Sequence, residues 1–339
     1  MTGRVGWYTA FYVMGRHIVG PMTPPGEVPP ASRSSAPSLP AMRRSLFDLF
    51  EEDWADIERG LYRLPKEFRA LPDPLRLLSD ARTYLREAMA VTRRANTRGG
   101  GTEVRSIAPE STPVYYRQNF HFQSDGWFTE ESATVYDTQV EVLFTGSAAA
   151  MRRRALALIA EEVRRRQDEG QDESDLRLAD LGCGTGPLLA DVADNFPAMH
   201  FIAADLSEPY LRTALKNADA PKLTGIAAPA EKLPLADQSL DIVTTVYLFH
   251  ELPPKVRREV AKEIARVLRP GGLYVHLDSV QYGDTDMDLL LETFPRAFHE
   301  PYYESYCRED LSALMGEAGL SIEAQKTGFL SKATAFRKG

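Results

Sequence analysis

Leu178-Ala179-Asp180-Leu181-Gly182-Cys183-Gly184-Thr185-Gly186 is the stretch on which the reading of this chain turns. A short apolar run passes into three alternate glycines, and Pro187-Leu188-Leu189 then opens a helix. Glycine takes positive φ at little cost and lets a backbone approach a ligand closely. In an open α/β sheet, ligands bind beyond the carboxyl ends of the strands, where strand order reverses. The spacing here is G-x-G-x-G. A dinucleotide fingerprint reads G-x-G-x-x-G, with a pyrophosphate on the helix N-terminus; Pro187 and Leu188 follow the loop instead, so the third glycine of that pattern is missing. Asp180 stands just before the loop, and a carboxylate there suits a cationic ligand better than a diphosphate.

Outward from this loop, apolar strands alternate with amphipathic helices. Strands are expected over 176–181, 200–204, 223–227, 240–247 and 272–279, with helices between them over 207–218 and 255–268. The second of these helices places Val256, Val260, Ile264 and Val267 on one face. Such alternation indicates a parallel, doubly wound sheet. The chain ends differently: a helix over 309–318, a strand over 321–326, a turn at Thr327-Gly328 and a strand over 329–336. Two strands across so short a turn are antiparallel. The expected fold is therefore α/β: a Rossmann-like, doubly wound, seven-stranded sheet closed by an antiparallel C-terminal hairpin, with a helical N-terminal region.

Residues 20–41 are dense in Pro, Ser and Ala, a composition that buries too little apolar surface to offset chain entropy. Residues 1–41 are expected to be a disordered extension, with Met42 an alternative start. From Arg43 onward, Leu46, Phe50, Trp54, Ile57 and Leu61 recur at helical spacing, and a second helix with Leu78, Ala81, Leu85 and Met89 inward follows Pro74. Gly99-Gly100-Gly101 breaks the chain before an aromatic segment from Tyr115 to Phe122 and Trp127-Phe128. Residues 132–144 fit helix or strand, and Ser147 fits the N-cap of a helix running to Arg166. Residues 42–146 then form a helical, aromatic-rich region, a lid or a dimerisation element, ahead of a domain over 147–339. The arginine runs 152–154 and 164–166 are expected on a solvated helix face.

The 339 residues carry 43% hydrophobic and 26% charged residues, enough for a sizeable core. A net charge of −8 gives no overall field for nucleic acid or an anionic membrane. Two cysteines exclude a disulfide scaffold and suit a reducing, cytoplasmic setting. No apolar run is long enough to span a bilayer. Neither the cysteines nor the scattered histidines have zinc-ligand spacing, so no metal is expected. Asp205 closes the second strand about twenty residues past the glycine loop, where a carboxylate accepts from both hydroxyls of a ribose. Ser207 can cap the next helix, which frees Asp205 for that role.

Taken together, the glycine loop, Asp205, Ala230-Glu231-Lys232-Leu233-Pro234-Leu235 before the fourth strand and Leu268-Arg269-Pro270-Gly271-Gly272 before the fifth resemble a class I S-adenosylmethionine-dependent methyltransferase. The nearest flavour is the ubiquinone/menaquinone-biosynthesis type and the small-molecule methyltransferases around it. The resemblance covers about 147–336. It implies S-adenosylmethionine as cofactor, whose methionyl part carries an ammonium and a sulfonium. It implies Asp180 and Gly182 at the methionyl moiety, with Gly184 and Gly186 in the same loop. Asp205 and Leu206 would sit at the ribose, Ala230 and Glu231 beside the adenine, and Tyr247 along the cofactor after the fourth strand. The family commonly has an acidic residue just before the Ala-Glu pair; this chain has Pro229, so adenine contact would rest on backbone groups and apolar packing.

Methyl transfer from a sulfonium is an in-line displacement in which the enzyme aligns the partners and excludes water. A hydroxyl or amine acceptor also needs a base. His250, in Tyr247-Leu248-Phe249-His250-Glu251-Leu252-Pro253-Pro254 at the rim of the cofactor site, is the first candidate. His299, in the aromatic run from Phe298 to Tyr306, and His121, in the aromatic segment, are the others. The acceptor is expected to be a small molecule, without nucleic acid or a membrane span and with a homodimer open. A nucleic-acid methyltransferase should show an Asn/Asp-Pro-Pro-aromatic motif after the fourth strand, which His250-Glu251-Leu252-Pro253-Pro254 does not supply. A protein acceptor, a nicotinamide oxidoreductase and a catalytically silent module are the remaining alternatives.

Overall fold

The structure is a computed structural model that describes residues 5–9, 13, 37–69, 89, 102–110, 112–122 and 125–339. The helix expected after Pro74 and the Gly99-Gly100-Gly101 break lie outside these residues, except for Met89. The chain divides into two compact units, one of 1–36, 65–149 and 287–301, the other of 37–64, 150–286 and 302–339.

The larger unit is built on a seven-stranded sheet in the order β3-β2-β1-β4-β5-β7-β6. Its strands are β1 (Arg177–Leu181), β2 (His200–Asp205), β3 (Leu223–Ala227), β4 (Leu240–Val246), β5 (Leu268–Ser279), β6 (Leu320–Gly328) and β7 (Ser331–Lys338). The first five run parallel, while β7 pairs antiparallel with both β5 and β6. The order reverses between β1 and β4, which puts a ligand-binding crevice at their carboxyl ends. The hairpin turn falls at Phe329-Leu330, two residues past the expected Thr327-Gly328: Gly328 still pairs with Ser331, and Phe329 takes the positive φ of 55°.

The main helices are α1 (Leu39–Glu58), α2 (Glu130–Leu143), α3 (Ala148–Asp168), α4 (Pro187–Asn195), α5 (Glu208–Asn217), α6 (Pro254–Val267), α7 (Asp288–Ala297), α8 (Tyr303–Cys307) and α9 (Leu311–Gly316). The core lies where α3, α4 and α5 cover β1, β2, β4 and β5, with Leu156, Ile159, Leu178, Val192, Phe201 and Ile242 almost without exposure. The helical alternative for 132–144 is the one observed, with Thr129 capping α2 through the Ser132 amide.

Ser147 directly precedes α3; its hydroxyl donates to the Phe144 carbonyl, and the Glu141 carboxylate accepts the first-turn amide of Ala149. Four expectations are corrected. Arg152, Arg153, Arg154 and Arg166 are buried rather than solvated, and α1 brings carboxylates to Arg153 and Arg154. The Arg153 guanidinium grips Asp53 with two bonds of 2.8 Å, and Arg154 bonds Glu52 at 2.8 Å and Asp56 at 2.6 Å. This pairing also rotates α1 relative to the apolar spacing: Leu49, Phe50, Asp53 and Asp56 face inward, while Trp54 is exposed and donates its indole N–H to Glu58. On α6, Val256 is half-buried and Arg257 takes the buried place beside it. Residues 37–41, assigned to the disordered extension, are ordered here: Ser38 caps α1 through the Ala41 amide.

In the smaller unit, α2 and α7 accompany the aromatic segment. Phe120 stacks on Trp127 with ring centroids 4.5 Å apart, and Tyr116 packs against Trp127 and Phe128.

Candidate active site

The glycine loop sits at the switch point. The Gly182 and Cys183 amides both donate to the Ala204 carbonyl at the end of β2, at 2.8 and 3.1 Å, which folds the loop back over the sheet edge. The three glycines all have positive φ but meet different neighbours. A Cβ on Gly182 would lie 2.9 Å from Leu248, one on Gly186 would lie 2.9 Å from the Ala214 backbone of α5, and one on Gly184 would meet nothing within 4 Å. Gly186 therefore serves close helix packing, whereas Gly184 leaves open space in front of the loop.

Asp180 is buried on β1 and accepts from the Thr244 hydroxyl, 2.6 Å away on the neighbouring strand. Asp205 ends β2 and receives the Gly184 amide at 2.8 Å and the Ser207 amide at 2.7 Å. Ser207 caps α5 as expected, through the Tyr210 amide. Asp205 is thus not idle, since it braces the loop to the start of α5. Burial pushes the Asp180 carboxyl up to about 7, with the Asp205 charge adding to the rise. Burial likewise raises Asp205 to about 6, against the amides that stabilise its anion. Two desolvated carboxylates beside an open, glycine-lined bend make a site for a cation. That donor set fits the ammonium, sulfonium and ribose hydroxyls of S-adenosylmethionine.

Leu206, Ala230 and Glu231 are half-buried on the loops after β2 and β3. Tyr247 lies just past β4 at φ 54°, and its hydroxyl bonds the Ser331 hydroxyl at 2.7 Å. Asp180, the glycine loop, Asp205, Leu206, Ala230, Glu231, Tyr247 and His250 all belong to the larger unit; His121 and His299 belong to the smaller one.

The turn Phe249–Glu251 after β4 carries His250, which is buried. Its Nδ1 lies 2.5 Å from Asp278 Oδ1 at the end of β5, and its Nε2 lies 3.8 Å from Glu251. Asp278 also accepts the main-chain amides of Phe249 and His250, so one carboxylate fixes both the ring and the turn that bears it. Burial alone would lower the His250 pKa, but the Asp278 charge and hydrogen bond, with Glu251, outweigh it and raise it. Burial pushes Asp278 up, yet His250 holds it below the usual carboxylate range. Glu251 is pushed up to about 8 by burial, with Asp278 and Asp205 adding to the rise against the His250 charge. The rings of Tyr247, Tyr303 and Tyr306 stand edge-on to His250, with centroids 6.4, 5.5 and 6.2 Å away. Tyr303 and Tyr306 hydroxyls bond Ser279 and the Ser279 carbonyl, so this wall offers ring carbon rather than donors.

In the smaller unit, His121 Nε2 lies 3.3 Å from the buried Glu300 carboxylate, among the rings of Tyr136, Phe294 and Phe298. His299 is held below its ordinary pKa by burial and by the nearby His121.

Sequence reasoning missed Thr244 and Asp278, which bond Asp180 and His250. A carboxylate inside an otherwise apolar strand, as in Tyr274-Val275-His276-Leu277-Asp278, was the available signal for Asp278.

Residues 178–272 match the methyltransferase domain family. The chain is 30% identical over 201 residues to a malonyl-[acyl-carrier protein] O-methyltransferase of Dechloromonas aromatica, covering 57% of this chain and 65% of that protein. It is 31% identical over 150 residues to a demethylmenaquinone methyltransferase of Thermus thermophilus, covering 44% of this chain and 62% of that one. The chain thus spans less than two thirds of these curated relatives. Among solved structures, human N-acetylserotonin methyltransferase in complex with SAM aligns with a TM-score of 0.46 and 18% identity, over 62% of this chain and 57% of that one. The segment 178–272 is thus similar to a methyltransferase domain, and the sheet order and glycine loop around it agree with the resemblance to class I S-adenosylmethionine-dependent methyltransferases. Among the described residues, no helix is long and apolar enough to cross a membrane.

Proposed function

We propose that this chain transfers a methyl group from S-adenosylmethionine to a hydroxyl of a small molecule, with His250 as the general base and Asp278 as its positioning partner. The single observation that carries this is the buried 2.5 Å contact between His250 and Asp278, on the turn that follows β4. Leu248 of the same segment lies against Gly182 of the cofactor loop, which sets base and loop side by side. When bound, the cofactor supplies an electrophilic methyl on a sulfonium. Asp180, Gly182, Gly184 and Asp205 hold its polar parts, with Leu206, Ala230, Glu231 and Tyr247 lining the remainder. Asp278 holds the Nδ1 proton of His250, which leaves Nε2 as the lone pair that takes the acceptor's proton. Burial excludes water from that nitrogen.

The Asp278 charge beside His250 disfavours an anionic acceptor, and the committed tyrosine hydroxyls favour an apolar, flat frame around the reacting hydroxyl. Net charge of −8 favours a small molecule over nucleic acid. A carboxyl acceptor on a carrier protein is a second reading, prompted by the name of the Dechloromonas relative. It is disfavoured because a carboxylate needs no base. The test is a metabolite-extract screen with isotope-labelled S-adenosylmethionine and mass-spectrometric identification of the labelled product. A methyl ether is the expected linkage. A methyl ester would favour the second reading, and no labelled product from any extract would count against transfer altogether.

A further inference from the structure

Arg257 is a fully buried cation whose bonds all run to two places. Its Nε donates to the Phe249 carbonyl at 2.9 Å, in the turn that carries His250. Its Nη2 donates to the Tyr302 carbonyl at 2.7 Å and the Ser305 hydroxyl at 2.9 Å, and its Nη1 pairs with Glu309 at 3.1 Å. The guanidinium also lies 5.6 Å from the Tyr306 ring centroid. Tyr302 to Glu309 is the segment of α8, whose Tyr303 and Tyr306 rings abut His250. None of these bonds goes to the sheet. This guanidinium joins the base-bearing turn to the aromatic helix beside it. Its planar fork reaches several acceptors in fixed directions at once, which an ammonium cannot do.

The geometry points to Arg257 as a positioning residue that locks the His250 turn to α8, so that the base and the aromatic wall beside it keep one spacing. The inference rests on the reading of His250 as the base. Without the fork, the link from the Phe249 carbonyl to Tyr302, Ser305 and Glu309 is lost, and the His250–Asp278 bond, still anchored by Asp278 at the amides of the turn, weakens.

The test reads the ring N–H of His250 by proton NMR in the protein bound to S-adenosylhomocysteine, with the resonance assigned by its loss in His250→Gln. In the wild type, the short bond to Asp278 should give a far-downfield, slowly exchanging signal. In Arg257→Lys, which keeps the charge and loses the fork, the signal should move upfield or exchange at least tenfold faster, while S-adenosylhomocysteine affinity by calorimetry stays within threefold. The double variant Ser305→Ala/Glu309→Gln cuts two tethers at the α8 end without emptying the core and should act in the same direction. It decides the matter if Arg257→Lys does not fold. A signal unchanged in position and exchange in either folded variant overturns the proposal. Absence of the signal from the wild type itself overturns the dyad, and with it the reading of His250, whatever Arg257 does.

Discussion

Replacing Asp278 with Asn probes the site where the structure commits itself most. Asp278 is wholly buried, and its two oxygens accept four bonds. Oδ1 takes the His250 ring at 2.5 Å and the Ser279 amide at 2.7 Å, and Oδ2 takes the Phe249 amide at 2.9 Å and the His250 amide at 3.3 Å. Asparagine keeps the shape but has one acceptor oxygen. If its oxygen faces the ring, its NH2 confronts two main-chain donors. If it flips, its NH2 faces Nδ1 and drives the proton to Nε2, the atom that must accept. A positioned general base contributes about 10²–10⁴-fold, which at 1.36 kcal/mol per tenfold is about 3–5 kcal/mol of barrier. Single-turnover transfer of labelled methyl should therefore slow by two to four orders of magnitude. Cofactor affinity should stay within threefold, since none of these bonds reaches the glycine loop or Asp205. The pH dependence has a definite sign. Asp278 is what keeps His250 above its ordinary pKa against burial, so without it burial prevails, and the acid limb of the residual rate moves to lower pH. A folded Asp278→Asn protein with a rate within threefold of wild type would refute the dyad.

Further outcomes follow from the same contacts. Asp180 and Asp205, raised by burial to about 7 and about 6, hold protons that a cationic ligand should expel; calorimetry near pH 6.5 in buffers of different ionisation enthalpy should register net proton release on S-adenosylmethionine binding, and net uptake would contradict the site. Asp205→Ala should weaken that binding at least tenfold. Gly186→Ala drives a methyl to 2.9 Å from the α5 backbone at φ 78° and should lower unfolding stability by about 2–4 kcal/mol in urea titration. Gly184→Ala has no clash within 4 Å and should cost about 1 kcal/mol of stability while losing cofactor affinity, so equal stability losses would erase the distinction. Glu162 is held down at about 2 by Arg165, Arg337 and Arg166 against burial, so its contribution exists above its unfolded value and is lost as pH falls from about 4.5 towards 2. Glu162→Gln should lower stability at pH 7 by about 3 kcal/mol and flatten the acid unfolding profile in that window.

Period and punctuation made the sheet legible, because parallel strands buried on both faces read as apolar runs and glycine marks their ends. The hairpin slipped by two residues since Phe329, not glycine, carries the positive φ, and side-chain identity gave no hint of it. The cofactor loop was readable as a motif, but its glycines were not separable: only the positions of Leu248 and Ala214 tell packing from open space. His250 was visible as a histidine after β4, whereas Asp278 lies 28 residues further on and becomes its partner only through the register of the sheet. The arginines of α3 misled for the same reason, as their carboxylates sit about a hundred residues earlier, on a helix whose burial follows charge rather than apolar spacing.

That last pairing bears on how the protein tolerates being cut. A fragment starting at 147, where the glycine-loop domain begins by sequence motif, would discard Asp53, Asp56 and Glu52 while retaining the two guanidiniums they neutralise. The same cut takes Leu61 and Tyr62 out of the core, and burial of such side chains is worth about 1.5–3 kcal/mol each, a large share of what holds a domain of this size together. Trimming the chain to its recognisable catalytic half should thus yield insoluble or proteolytically fragile material. Retaining residues 37–64, if only as a separately added helical peptide, is what should rescue it.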